Sequence, residues 1–154
     1  MSLIQALMNQ AAVGGLLQVK QISQFKPSEI RESIQHLVAT EQIELAYALG
    51  DAGYSLYPQS EDMLAICSLL AIMRQEWQQA VDQLEELQRL QGERTQPFTY
   101  VMLVRALRCN LEPARALEVV RQGLKAYPEQ LELLAEQLAL DDFADAVFGS
   151  EGTH

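Results

Sequence analysis

Apolar residues recur at helical spacing through most of this chain. Ile30, Ile34, Leu37 and Val38 share one face of a predicted helix, and Pro27 suits its first turn, where a missing N–H costs nothing. A partner helix over 41–57 carries Leu45, Ala46, Leu49 and Leu56 on one stripe, with Thr40 as its expected N-cap. Gly50 and Gly53 lie inside that helix, each costing up to about 1 kcal/mol relative to alanine. They fit either a close crossing by a neighbouring helix or a kinked helix end.

The next pair opens at Ser60, an N-cap followed by Glu61 and Asp62 in the first turn. From Met63 to Met73 the chain is apolar nearly all round, as in a helix enclosed by others. Arg74-Gln75-Glu76 reads as a turn, and Trp77, Ala80, Val81, Leu84 and Leu87 mark one face of the following helix. A third pair begins near Pro97 with Phe98, Val101, Met102, Val104 and Ala106. It turns at Asn110 to Pro113, continues through Ala116, Leu117, Val120 and Leu124, and ends at Tyr127-Pro128. At the N-terminal end, Leu3, Leu7, Met8, Ala11 and Ala12 predict an amphipathic helix over 1–20, interrupted or ended at Gly14-Gly15. At the other end Leu131, Leu134 and Leu138, with or without Leu133, predict a helix over 129–140 ahead of an acidic tail, 141–154.

These segments repeat. Ala46, Ala80 and Ala116 each fall early in the second helix of a pair, at intervals of 34 (46 to 80) and 36 (80 to 116). The closing breaks Pro58, Gly92 and Pro128 keep the same intervals. The two extra residues fit the polar loop 91–96, since surface loops accept insertions most readily. The chain therefore reads as one domain, 1–154, of the all-α class.

A helix–turn–helix of this length, with a small residue early in its second helix, Trp77 before Ala80 and closing Tyr57-Pro58 and Tyr127-Pro128, resembles a tetratricopeptide repeat. The resemblance covers Pro27 to Pro128. It departs from the pattern at three places: Leu64 and Tyr100 hold large-residue positions in first helices that lack the usual tryptophan and Leu-Gly, and Gly50 stands where a large aromatic is usual. It implies a right-handed α-solenoid of three helix pairs, 27–58, 61–92 and 97–128, with a capping helix at each end. It also implies that first helices line a concave surface that binds a client peptide. On that surface would lie Arg31, Gln35 and Val38; Ala65, Leu69, Ile72 and Met73; and Phe98, Val101, Arg105 and Arg108. The result would be an apolar floor with cationic sides. Leu69 and Ile72 equally suit a core, and Arg105 and Arg108 equally suit pairing with nearby acids. The lysine and asparagine clamp that grips acidic chaperone tails is absent, with Gln35, Ile66, Phe98 and Met102 at the matching places. Size, acidity, degenerate repeats and an added N-terminal helix together resemble the small bacterial type III secretion chaperones. That likeness would make the partner a secretion-system subunit.

Charge narrows the partners. The 21 acidic and 11 basic residues give a formal net charge of −10, which repels a phosphate backbone and argues against nucleic acid. The acidity serves solubility, or a basic or aggregation-prone client. No apolar run approaches the roughly 20 residues needed to span a bilayer, and no basic leader precedes residues 1–19, so a cytoplasmic protein is expected. Cys67 and Cys109 read as buried free thiols within helical patterns, and neither His36 nor His154 stands near them at ligand spacing. Asp141, Asp142 and Asp145 lack calcium-loop spacing. No phosphate loop, nucleophile elbow or zinc motif appears, so neither an enzyme nor a cofactor is expected. A protein-binding adaptor or chaperone is the first expectation. The second is a self-assembling scaffold, with homo-oligomer contacts through the N-terminal helix or the Phe143–Phe148 segment.

Overall fold

The computed structural model describes residues 22–148, with side chains as far as Asp142. Among them every regular element is helical: α1 (Pro27–Ala39), α2 (Ile43–Leu56), α3 (Glu61–Met73), α4 (Trp77–Gln91), a 3₁₀ turn (Gly92–Arg94), α5 (Pro97–Cys109), α6 (Pro113–Ala126) and α7 (Leu131–Phe148). The predicted N-terminal helix and its glycine pair lie outside the described residues. The chain divides into two compact units, Met1–Arg74 and Gln75–His154, so α1–α3 belong to the first and α4–α7 to the second. None of the helices among the described residues is long and apolar enough to cross a membrane.

In the first unit, α1 and α2 form a hairpin and α3 packs on both. Ile30, Ile34 and Leu37 from α1 meet Ala46, Leu49 and Ala52 from α2 and Met63, Ile66, Cys67 and Leu70 from α3 in one buried core. The two glycines of α2 explain how close α3 comes. A Cβ on Gly50 would lie 2.5 Å from Leu70 Cδ1, and one on Gly53 would lie 2.6 Å from Met63 Cε. The close-crossing reading is therefore the right one, and the lost helix propensity is offset by packing against α3.

Ser60 caps α3 as expected, its hydroxyl accepting the Met63 N–H at 3.3 Å. Thr40 does not cap α2. Its hydroxyl donates to the His36 and Leu37 carbonyls at 2.9 and 3.3 Å, so it closes α1, while Gln42 holds the N-cap position of α2. The reason is the turn itself. Glu41 adopts φ +63°, and the Glu41 and Gln42 N–H groups bond back to Val38 and Leu37 at 3.1 and 2.8 Å. This double bond to the last turn of α1 leaves Thr40 on the α1 side of the reversal.

In the second unit, α4 packs on α5, α5 and α6 form a hairpin, and α7 lies on α6 and α5. Its hairpin repeats that of the first unit seventy residues on (27 to 97) in detail. Leu111 takes φ +62°, as Glu41 takes +63°, and the Leu111 and Glu112 N–H groups bond to Arg108 and Leu107 at 3.1 and 2.9 Å. Tyr57 donates its hydroxyl to the Phe25 carbonyl at 2.8 Å, and Tyr127 donates to Thr95 at 2.7 Å. Each tyrosine thus ties the end of its hairpin to the residue two places before the hairpin begins. Gly53 faces Ile30 and Met63; Gly123 faces Tyr100 and Leu133.

By the same register α7 is the counterpart of α3, and here the sequence pattern misled. Leu131, Leu134 and Leu138 face outward, whereas Leu133 and Leu140 are buried with Glu136 between them. Both sets have helical spacing, and the buried one includes Glu136, whose carboxylate meets Arg105 and Arg108. The helix also runs on through Phe148, past the expected end at Leu140.

Candidate peptide-binding surfaces

The residues expected to face a client fall into two sets, seven in the first unit and four in the second. In the first, Gln35 and Met73 are exposed, Leu69 and Ile72 half-buried, and Ala65 buried. Val38 and Leu69 pack against the core. Arg31 lies 3.1 Å from Asp62 in the first turn of α3, so its charge is matched by an acid of its own unit. At the far end of α3, Arg74 stacks on the Tyr47 ring, 3.9 Å from its centroid, and reaches Asp51 at 3.3 Å. An arginine at a helix C-terminus also suits the dipole.

In the second unit Phe98 is exposed and Val101 buried. Arg105 and Arg108, one helical turn apart, converge on one carboxylate. Arg105 Nε lies 3.2 Å from Glu136 Oε1 and Arg108 Nε lies 3.0 Å from Oε2, while Arg105 also reaches Glu132 at 3.2 Å. Glu136 is only 8% exposed, whereas both arginines keep much of their surface in solvent. The charge-assisted bonds make burial of the carboxylate tolerable. This answers the alternative left open by the sequence: these arginines are paired.

Next to this clamp the structure has an apolar hollow of about 420 Å³, lined by Arg108, Leu111, Pro113, Ala139 and Leu140. Four of its five lining residues escaped sequence reasoning. Leu111 offered a signal, an apolar residue in an interhelical turn, and it is 87% exposed. Pro113 read only as the end of a turn, and Ala139 and Leu140 join the hollow through the orientation of α7, which the expected leucine stripe concealed.

The back of the second unit is polar. Arg115 bridges Glu85 and Glu112, and Asn110 donates to Gln78 and Glu112 at 2.9 and 2.8 Å. Hydrogen bonds from Arg115 and then Asn110 hold the Glu112 carboxyl below its ordinary range. Cys67 is buried in the first unit with its thiol 3.4 Å from the Gly50 carbonyl, and Cys109 is half-buried in the second; both are free. Among the described residues no group of three or more His, Cys, Asp or Glu is placed to hold a metal ion. No protein-family model matches the chain, and no curated protein matches its sequence.

Proposed function

We propose that this protein is a protein-binding module, an adaptor or chaperone of the tetratricopeptide type, whose second unit takes a peptide against α5 and α7. The hollow beside Arg108 carries the reading. It joins an apolar floor to a partly solvated guanidinium, the combination suited to a large apolar client side chain next to a carboxylate or carbonyl. Its size is within the range of pockets that enclose single side chains or small ligands. Phe98, exposed on the same helix as Arg105 and Arg108, would extend the contact. In the first unit Gln35, Ile72 and Met73 offer a second, weaker surface. The acidic chain would favour a client with basic flanks, and a secretion-system subunit held before export is one such client.

Selection of peptides from a random display library on the full chain tests this. Enriched peptides are expected to carry a large apolar residue beside an acidic one. Filling the hollow with Ala139→Trp should weaken them about tenfold or more. Peptides that bind A139W as well as the native chain would sink the reading.

A further inference from the structure

The outward face of α7 is a second surface, separate from the hollow. Leu131, Leu134 and Leu138 share one side of the helix, at the three- and four-residue steps that bring side chains together, while Leu133, Glu136 and Leu140 share the other. Leu131 is 78% and Leu138 66% exposed, on a chain that buries most of its other leucines on described helices. Scattered exposed leucines need no explanation, but three in one helical stripe do. The chain itself supplies the comparison. Seventy residues earlier on α3, the counterparts of Leu134 and Leu138 are Leu64 and Ser68, and both are fully buried.

Charge indicates what fits there. From Leu131 to Phe148, α7 contains Glu132, Glu136, Asp141, Asp142 and Asp145 and not one lysine, arginine or histidine. Glu132 and Glu136 are engaged by Arg105 and Arg108, but Asp141 and Asp142 are exposed, one turn beyond Leu138. A second copy of this chain would bring another net charge of −10 to an acidic helix. A helix with leucine-like residues on one face and lysine or arginine along its edge would bury the stripe and pair with the aspartates. We infer that the exposed leucine face of α7 is a docking site for a basic amphipathic helix from another protein. The inference uses a different surface from the one proposed for peptides and stands without it.

The probe is a synthetic amphipathic helix with leucines along one face and lysines along its edges, titrated against the full chain. A counterpart with glutamates in place of the lysines is the control. The native chain is expected to bind the lysine helix and not the glutamate helix. Leu131→Glu with Leu138→Glu should weaken binding at least about tenfold, although it makes the protein more acidic. General electrostatic attraction predicts the opposite sign, so tighter or unchanged binding overturns the proposal. Both positions are so exposed that the fold should survive, and a circular dichroism spectrum checks it. Ala139→Trp should leave the lysine helix bound, which separates failure here from failure of the peptide reading. No binding by the native chain, or a native dimer that L131E/L138E converts to monomer, also overturns the proposal.

Discussion

Arg108 lies 3.0 Å from Glu136 at a level where the first unit has Val38 and Ile66. By the seventy-residue register the trio Arg105, Arg108 and Glu136 corresponds to Gln35, Val38 and Ile66. One layer of the same helical arrangement is therefore uncharged in one unit and ionic in the other. The exchange is consistent on both helices, because a lone glutamate at the Ile66 place would be buried without a partner.

The two layers should be interchangeable as sets and not singly. Replacing Arg105 and Arg108 with alanine leaves Glu136 nearly buried and unpaired. The loss should be about 2 to 3 kcal/mol, below the range for deep pairs because the arginines are partly solvated. Arg105→Gln, Arg108→Val and Glu136→Ile together transplant the first unit's layer and should stay within about 1 kcal/mol of the native chain. Urea unfolding measures both. A triple variant as unstable as the double would mean the ionic layer is intrinsically stabilising.

The glycines predict an ordered series. Alanine at either site gains up to about 1 kcal/mol of helix propensity. At Gly53 the nearest obstacle is the flexible end of Met63, 2.6 Å away, although Ile30 Cγ2 is tight at 3.1 Å. At Gly123 the new methyl meets Leu133 Cδ1 at 2.8 Å and the Cβ and Cγ of Tyr100 at 3.1 Å. The Tyr100 ring also contacts Tyr127 edge-on, with centroids 6.2 Å apart, so it has less freedom to move. Gly123→Ala should thus cost about 1 to 2 kcal/mol and Gly53→Ala clearly less, read as shifts in urea midpoint. The reverse order would show that the packing around Tyr100 is softer than its neighbours indicate.

Leu111 combines a left-handed backbone with 87% exposure, two features that favour glycine or a polar residue. Leu111→Gly should stabilise the chain by roughly 0.5 to 1 kcal/mol while weakening peptides selected on the hollow. Glu41→Gly, at the matching turn of the first unit, should stabilise to the same degree and leave those peptides bound. Equal binding by L111G and the native chain would remove Leu111 from the site.

How far the sequence could be read depended on the kind of interaction. Helix positions followed from periodicity, from Pro27, Ser60 and Pro97 at helix starts, and from the recurrence of Ala46, Ala80 and Ala116. These are local or periodic signals. The face of α7 was misread because hydrophobicity alone ranks Leu131, Leu134 and Leu138 above Leu133, Glu136 and Leu140. Nothing local to α7 reveals that Arg105 and Arg108 lie across from Glu136. Glu132 and Glu136 one turn apart, matched to two arginines one turn apart, held that signal, and it becomes visible only when two helices are considered together. Thr40 failed for a smaller reason: the left-handed residue after it is a glutamate, and no glycine marks the turn.

Cys67 offers a test of the first unit's core. Burial, and secondarily the Asp51 carboxylate, push its thiol from an ordinary 9.0 up to about 12, against a weaker opposing pull from Arg74. The thiolate is the reactive form, so an alkylating reagent at about pH 8 should modify Cys109 well before Cys67. Cys67 should react only as fast as the unit opens, and urea should accelerate it steeply. The sign for stability follows from the raised value. The folded thiol stays protonated where the unfolded one ionises, so its contribution is complete below pH 9.0 and is lost as pH climbs toward about 12. Cys67→Ala should therefore flatten the fall in unfolding free energy across that interval while leaving its slope below pH 9.0 unchanged. Rapid labelling of Cys67 in the native chain would mean that α3 does not close over α2 at Gly50.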